Sequence, residues 1–206
     1  MKKPEDKITE LYATYLNVIQ PLMLELEILD NAFPVEILNE IRATFSHLAK
    51  FSLSDNENIQ SKNLTKAEGH IKRAILDCYK YLCAAYADQV MLFDYRYRNV
   101  DLSLIEDGKF LDRLVKTERT AKEHIREARR TDLEIDSDDP EHTDNAYALY
   151  EYAYLKYVDL YNLLEGVTDK TERLKRKTIK DANRWNGIIA VIGIIFTTAI
   201  AFYLAH

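Results

Sequence analysis

The stretch KAEGHIKRAILDCYKYL, residues 66 to 82, decides the fold class of this chain. Its apolar side chains recur at steps of three and four, which places them on one face of an α-helix: Ile71, Ile75, Cys78 and Leu82. All 206 residues include only 5 Gly and 4 Pro, so turns are few and helices are long. No alternation of apolar and polar residues is long enough to indicate a sheet. We therefore predict an all-α fold.

Outward from this stretch, the same periodicity predicts further helices separated by polar segments. We expect helices at residues 5–30, with a kink or break at Pro21, at 34–51, 64–97 and 101–130, and from 143 onward, with an interruption at Gly166. Asp101 is expected to cap the fourth of these helices. The polar segment 52–63 and the acidic segment 132–145 are predicted to be loops. About four to five long helices with short connections indicate an up-and-down bundle.

The last apolar segment, GIIAVIGIIFTTAIAFYLA from Gly187 to Ala205, contains no charged residue. As a helix it would be about 28 Å long, close to the roughly 30 Å thickness of a bilayer's hydrocarbon core. Trp185 and Tyr203 lie near its two ends, where amphipathic rings prefer the headgroup level. We predict a C-terminal transmembrane helix at 187–205.

Charge is distributed unevenly along the chain. Residues 170–184 hold seven cations and two acids, whereas residues 1–169 hold 21 Lys and Arg against 32 Asp and Glu. Basic residues beside a span stay on the cytoplasmic side and attract anionic lipid headgroups. The candidate headgroup contacts are Lys175, Arg176, Lys177, Lys180 and Arg184. We predict a single-pass inner-membrane protein with a cytosolic helical bundle at 1–168, a basic juxtamembrane segment at 169–186 and the span.

The cysteine content agrees with a cytosolic domain. Cys78 and Cys83 are five residues apart on one predicted helix, so their side chains point about 140° apart and do not favour a disulfide. Two reduced thiols are typical of the cytosol.

Arg42 and His47 stand at an R-x4-H spacing within NEIRATFSHLAK, residues 39–50, and the spacing recurs at Arg119 and His124. The pattern resembles the R-x4-6-H motif of the HEPN superfamily, helical bundles whose dimers often pair two such motifs to cut RNA. The resemblance implies that Arg42 and His47 would bind and activate the ribose and the scissile phosphate without a metal. On a regular helix the two side chains diverge by about 140°, so an irregular turn or a second subunit would have to bring them together.

A second polar group follows one face of the helix that contains residues 66–82. Its members are His70, Arg73, Asp77 and Lys80. We expect them, together with Asn39 of the preceding helix, to hold an anion such as a nucleotide phosphate. The alternative is a solvated face whose charges pair along the helix. The spacings do not suit zinc, and no glycine-rich phosphate loop or nucleophile motif occurs, so we expect neither a metal nor a cofactor.

Two further patterns concern packing. On the second predicted helix, an apolar stripe is expected to face the core: Leu38, Ile41, Phe45 and Leu48. On the fifth predicted helix, tyrosines at steps of three and four form a seam: Tyr147, Tyr150, Tyr154, Tyr157 and Tyr161. This tyrosine seam is a core face, a contact between subunits or an aromatic surface that stacks on nucleobases, and the single interleaved cation, Lys156, favours a subunit contact over nucleic acid.

Small residues recur along the predicted span at Gly193, Thr197, Ala201 and Ala205, which lets spans approach closely and predicts a homo-oligomer. An acidic cytosolic bundle on a C-terminal anchor resembles the membrane effectors of prokaryotic anti-phage systems, including the membrane-associated accessory protein of type VI CRISPR systems. The resemblance implies a self-associating effector or sensor that receives a nucleotide, an RNA or a defence-system protein and then perturbs the bilayer; whether it is also an enzyme stays open, with the absence of catalysis favoured. Two alternatives stay open, a membrane-tethered HEPN-type ribonuclease and a non-catalytic membrane scaffold for a partner protein.

Overall fold

A computed structural model describes the backbone of residues 3–31, 33–134 and 140–204 and the side chains of residues 3–31, 33–132 and 146–193. The α-helices are α1 (Pro4–Thr14), α2 (Gln20–Asp30), α3 (Val35–Ser52), α4 (Glu57–Tyr97), α5 (Lys109–Glu134), α6 (Pro140–Glu165) and α7 (Thr168–Leu204). No strand occurs within the described backbone. The prediction of an all-α helical bundle is confirmed.

The N-terminal helices α1 and α2 are joined by a single π-helical segment, Tyr15–Ile19. The widened turn lets the Gln20 N–H reach the Tyr15 carbonyl just before Pro21. Pro21 has no N–H to donate, and its ring would crowd the carbonyl four residues earlier. The expected break at Pro21 is therefore a π-bulge that keeps α1 and α2 in one continuous path.

Helix α4 is the centre of the bundle and contacts α1, α2, α3 and α6. Ala74, Cys78 and Leu82 on its apolar face are fully buried. Lys7 of α1 contacts Glu68 of α4, and Glu25 of α2 contacts Tyr86, which comes later in α4. Helices α1 and α2 therefore run parallel to α4. Helix α3 runs antiparallel to α4, because Glu40 contacts His70 whereas the later His47 contacts the earlier Asn63. Helix α5 is also antiparallel to α4: Asp132 near its end pairs with Lys80, and Ile125 earlier in α5 lines the same cleft as Ala87.

The prediction of a loop at 52–63 is wrong for residues 57–63, because α4 begins at Glu57. Asn56 is the N-cap, and its Oδ1 accepts the N–H groups of Asn58 and Ile59 at 3.0 and 3.2 Å. This bond pattern satisfies two of the free donors at the helix start. A polar composition in the first two turns thus marks a capped, solvent-facing helix end.

The connection between α4 and α5 contains two short 3-10 turns, Leu102–Leu104 and Glu106–Gly108. The Asp101 carboxylate accepts the Ser103 N–H at 3.0 Å, so it caps the first of these turns. The prediction that Asp101 caps an α-helix is wrong. Gly108 has φ +85°, a conformation that glycine adopts without strain, and α5 starts immediately after it.

The predicted interruption at Gly166 is confirmed, since α6 ends at Glu165 and α7 begins at Thr168. The first turns of α7 lie against the bundle, where Thr171 is fully buried. From Arg176 to Gly193 every residue of α7 is exposed, so the helix leaves the bundle.

Among the residues described in full, no helix offers an apolar stretch long enough to cross a membrane. The predicted span at 187–205 is described in full only as far as Gly193. Its side chains from residue 194 onward lie outside the described residues.

Candidate functional site

Helices α3 and α4 meet through two polar pairs in a regular antiparallel register. Glu40 and His47 are seven residues apart on α3, as are Asn63 and His70 on α4, so each pair lies on one helix face. The Glu40 carboxylate lies 2.7 Å from His70 Nδ1, and the Asn63 amide oxygen lies 2.9 Å from His47 Nδ1. Thr44, between the two positions on α3, is buried. We call Glu40, His47, Asn63 and His70 the histidine cluster.

The two imidazoles of the histidine cluster stack on each other. Their ring centroids are 5.2 Å apart and their planes differ by 17°. Asn63 is fixed in turn, because its amide donates to the Ile59 carbonyl at 2.8 Å. The amide oxygen therefore faces His47, which gives His47 the tautomer that carries its proton on Nδ1.

Arg73 is the cation that contacts both His70 and the Glu40 carboxylate. Its Nε donates to the Glu40 carboxylate at 3.0 Å, and its terminal nitrogen lies 2.7 Å from His70 Nδ1. A protonated Nδ1 donates to Glu40, and an unprotonated Nδ1 accepts from Arg73, so these are alternative bonds of one atom. Because the Glu40 carboxylate occupies the position between His70 and Arg73, the cluster supplies its own anion.

Asp77 and Lys80, also predicted for the anion site, do not join the histidine cluster. Lys80 pairs with Asp132 of α5 at 2.8 Å and lies over the Tyr150 ring of α6 at 5.3 Å. It lines a cleft of about 390 Å³ with Arg129 and Tyr157. Burial raises the pKa of the half-buried Asp77 carboxyl, opposed by the nearby charge of Lys80. The predicted polar face therefore divides between α3 on one side and α5 and α6 on the other.

Arg42 and Asn39 are exposed on α3. Arg42 lies beside exposed Leu38 and Phe45 on the face that turns away from α4, whereas His47 lies in the α3–α4 interface. Within the described residues Arg42 forms no ion pair. A single copy of the chain does not bring Arg42 and His47 together, and their catalytic role stays a prediction.

The second R-x4-H pair is also separated. Arg119 is exposed, while the His124 ring packs on Tyr152 of α6 with centroids 4.4 Å apart. The buried Nδ1 of His124 has no hydrogen-bond partner among the described residues.

The tyrosine seam packs inside the chain, between α6 and α4. Tyr154 lies against both Tyr79 and Tyr86, at centroid distances of 5.3 and 6.2 Å. The hydroxyls of Tyr86 and Tyr154 both donate to the carboxylate of Glu25 on α2, the latter at 2.7 Å. Of the three interpretations of the seam, the core face agrees with these contacts. Sequence reasoning missed Glu25, whose only signal is an acid at the edge of an apolar helix face.

The residues predicted to contact lipid lie along α7. Lys175 is half-buried against Tyr97, with its ammonium 5.5 Å from the ring centroid. The remaining basic positions are exposed: Arg176, Lys177, Lys180 and Arg184. Trp185 and Gly193 are exposed as well, whereas Thr197, Ala201 and Tyr203 lie outside the residues whose side chains are described.

Comparisons with known proteins leave the sequence motifs without outside support. No protein-family model, no curated protein and no solved structure matches this chain. The resemblance to the HEPN superfamily therefore rests on the spacing of Arg42 and His47 alone.

Proposed function

We propose that this protein is a single-pass membrane protein, anchored by the C-terminal part of α7, whose helical domain lies in the cytoplasm. One observation carries the proposal: α7 extends beyond the bundle with its apolar side chains uncovered. Ile189, Val191 and Ile192 are 64%, 57% and 55% exposed.

At 100° per residue, Ile188, Ile189, Val191 and Ile192 lie within an arc of about 160° on one side of the helix. The run from 187 to 205 contains no charged residue, so the segment as a whole is uncharged on every side. A neighbouring protein helix covers one stripe of such a surface, whereas lipid covers all sides. Burying each large aliphatic side chain is worth about 1.5–3 kcal/mol, which favours insertion of the whole segment.

The cations of α7 support the orientation. Seven of them lie at residues 170–184, directly before the apolar run, and Trp185 lies at the junction. Each such cation is attracted to an anionic membrane surface by about 1 kcal/mol. The bundle is then on the cytoplasmic side of the membrane.

We further propose that the bundle acts as the sensor and the spans as the effector, in a self-associating assembly that perturbs the bilayer. The continuity of α7 supports this mechanism, because one helix from Thr168 to Leu204 links the bundle to the anchor. A ligand or partner that shifts the start of α7 would therefore tilt or rotate the span. The layout resembles that of anti-phage membrane effectors, which would make the signal a nucleotide, an RNA or a protein of the same system.

The anchor is tested by alkaline carbonate extraction of cell membranes that contain the full-length protein. We expect the native chain to stay in the pellet, and Ile195→Glu combined with Phe196→Glu to release it, because both positions are at the middle of the sequence run 187–205 and a charge at the centre of a span costs about 2.5–3.5 kcal/mol. Ile179→Glu is the matched control, since Ile179 is 52% exposed on the same helix but precedes the span. Release of the native chain by carbonate would overturn the anchor.

The effector role is tested by dye leakage from liposomes that hold the full-length protein. At a high ratio of protein to lipid, where the spans associate without the signal, we expect leakage from native protein and less leakage from Gly193→Leu, because a bulky residue separates closely packed spans. Leakage that is equal to that of protein-free liposomes at every protein concentration would contradict the effector role while leaving the anchor intact.

A further inference from the structure

A cleft of about 400 Å³ lies where the end of α4 faces the start of α7. Three cationic side chains line it, Arg96, Arg98 and Lys175, together with Tyr95, Asn99 and Thr178. Two of the cations come from the C-terminal end of α4 and one from α7. The bundle and the anchor helix thus form the cleft jointly.

Two of the three cations form no ion pair among the described residues. Arg96 pairs with Glu172 of α7 at 2.6 Å. The guanidinium of Arg98 instead lies over the Tyr95 ring at 5.0 Å, and Lys175 lies over Tyr97. Neither Arg98 nor Lys175 forms an ion pair with any part of the chain that the structure describes. Aromatic faces hold both side chains in place and leave their N–H donors open to an anion.

Glu172 is bound by Tyr97 and Arg96, and Lys175 lies near enough to add to the lowering of its pKa without forming an ion pair with it. The Tyr97 hydroxyl donates to its carboxylate at 2.8 Å, and this bond, with help from Arg96, lowers the pKa of Glu172. The carboxylate is therefore charged at neutral pH and stays with Arg96 and Tyr97. Three cations against this one acid leave the cleft a net charge of +2.

We propose that this cleft binds a phosphate monoester. Such a group carries a charge of about −1.5 to −2 at pH 7, which matches the cleft better than the single charge of a diester. Arg98 supplies a planar fork for two phosphate oxygens, and Lys175 supplies a point charge. The Asn99 amide offers a further donor, whereas the Thr178 hydroxyl already donates to the Leu174 carbonyl.

The phosphate can come from two sources, a lipid headgroup or a free phosphate monoester. Thr178 precedes Gly187 by nine residues and Lys175 precedes it by twelve, so the cleft spans roughly 13 to 18 Å below the start of the apolar run. A headgroup layer is about 5–8 Å thick, so a headgroup has to extend out of that layer to meet Lys175. The headgroup source rests on the proposed membrane anchor, but the cleft itself does not.

The test uses full-length protein in neutral detergent micelles and isothermal titration calorimetry. The probes are glycerol 3-phosphate, short-chain phosphatidic acid and short-chain phosphatidylglycerol, a diester. We expect Arg98→Gln combined with Lys175→Gln to weaken binding of both monoesters at least tenfold. Lys177→Gln combined with Lys180→Gln removes the same charge from exposed positions of α7 outside the cleft and should change binding less than threefold. Arg98→Lys keeps a cation and should retain binding within about fivefold.

The outcomes separate the two sources and the two proposals. Tighter binding of phosphatidic acid than of glycerol 3-phosphate assigns a headgroup, and equal binding assigns a free phosphate monoester. Equal losses in the two double variants, equal affinity for phosphatidylglycerol, or no binding of either monoester would overturn the site. Because micelles keep the protein in solution with or without insertion into a bilayer, failure of the membrane anchor in carbonate extraction leaves this result interpretable.

Discussion

The imidazole rings of His47 and His70 stack across the α3–α4 interface, each held at Nδ1 by a polar group from the opposite helix. The stack fixes how far α3 can slide along α4. A shift by one helical turn would leave Glu40 and Asn63 without the partners that they now have. The histidine cluster therefore fixes the register of α3 against α4 within a single copy of the chain.

Removal of Glu40 or His70 should destabilise the bundle. We expect Glu40→Ala and His70→Ala each to lower the free energy of unfolding by about 1–2 kcal/mol, because each removes the bond between the two helices and leaves the remaining group only Arg73 as a partner. In the double variant the two effects should be less than additive by about 1 kcal/mol. Urea unfolding of the full-length protein in micelles measures these values.

Arg42→Ala is the matched control for that cycle, since Arg42 lies on the same helix, is exposed and forms no ion pair in the described chain. Its effect should stay within about 0.5 kcal/mol. Strict additivity of Glu40→Ala and His70→Ala would show that the two side chains do not interact in solution.

The presence of the helices was predictable from the sequence, but the face of α3 that meets the core was not. The expected stripe included Leu38 and Phe45, yet Phe45 is 71% exposed and the buried positions are Ile37, Thr44 and Leu48. The face that meets α4 combines these buried positions with the polar pairs to Asn63 and His70, so it is less apolar than the expected stripe. Apolar periodicity on one helix cannot reveal this, because the decisive information lies on its neighbour.

The prediction of the candidate site depended in the same way on residues of a neighbouring helix. His70 and Arg73 face α3, and the anion that contacts both is Glu40 of the chain itself. Glu40 stands seven residues before His47, a spacing that places both on one face. The cleft at Arg96, Arg98 and Lys175 could not be found from sequence spacing, because it depends on how α7 folds back onto α4.

Glu25 should be a stability residue, since it accepts hydrogen bonds from Tyr86 and Tyr154. Glu25→Ala leaves two tyrosine hydroxyls without an acceptor, one of them on a buried side chain, and should cost about 1–3 kcal/mol. Glu27→Ala, at an exposed position on the same helix, should be near neutral. Thermal unfolding followed by circular dichroism compares the two variants, and equal midpoints would contradict the role of Glu25.

Asp77 should make the bundle less stable as the pH rises. Burial raises the pKa of its carboxyl, so the folded chain holds this proton more tightly than the unfolded chain. Stability from this group is therefore present at low pH and is lost as the pH passes from the unfolded value, about 3.9, through the raised folded value.

We accordingly expect Asp77→Asn to raise the unfolding midpoint at pH 7, with a gain that shrinks as the pH falls through that window. Asp88→Asn, an exposed aspartate on the same helix, should show neither effect. A midpoint that drops at pH 7 in Asp77→Asn would mean that the attraction to Lys80 outweighs the burial of the charge.

The two thiols of α4 should be unreactive while the bundle is closed. Cys78 and Cys83 are buried, and burial raises the pKa of each to about 12. At pH 8 only about one thiol in 10⁴ is then ionised, and the thiolate is the species that reacts with iodoacetamide. We expect little labelling of the native protein by mass spectrometry and complete labelling in urea.

Ala84→Cys puts a thiol at the exposed position next to Cys83 and should be labelled quickly under native conditions. Native labelling of Cys83 at the rate of that introduced thiol would mean that α6 separates from α4, because the Tyr150 carbonyl of α6 lies 4.0 Å from the Cys83 sulfur.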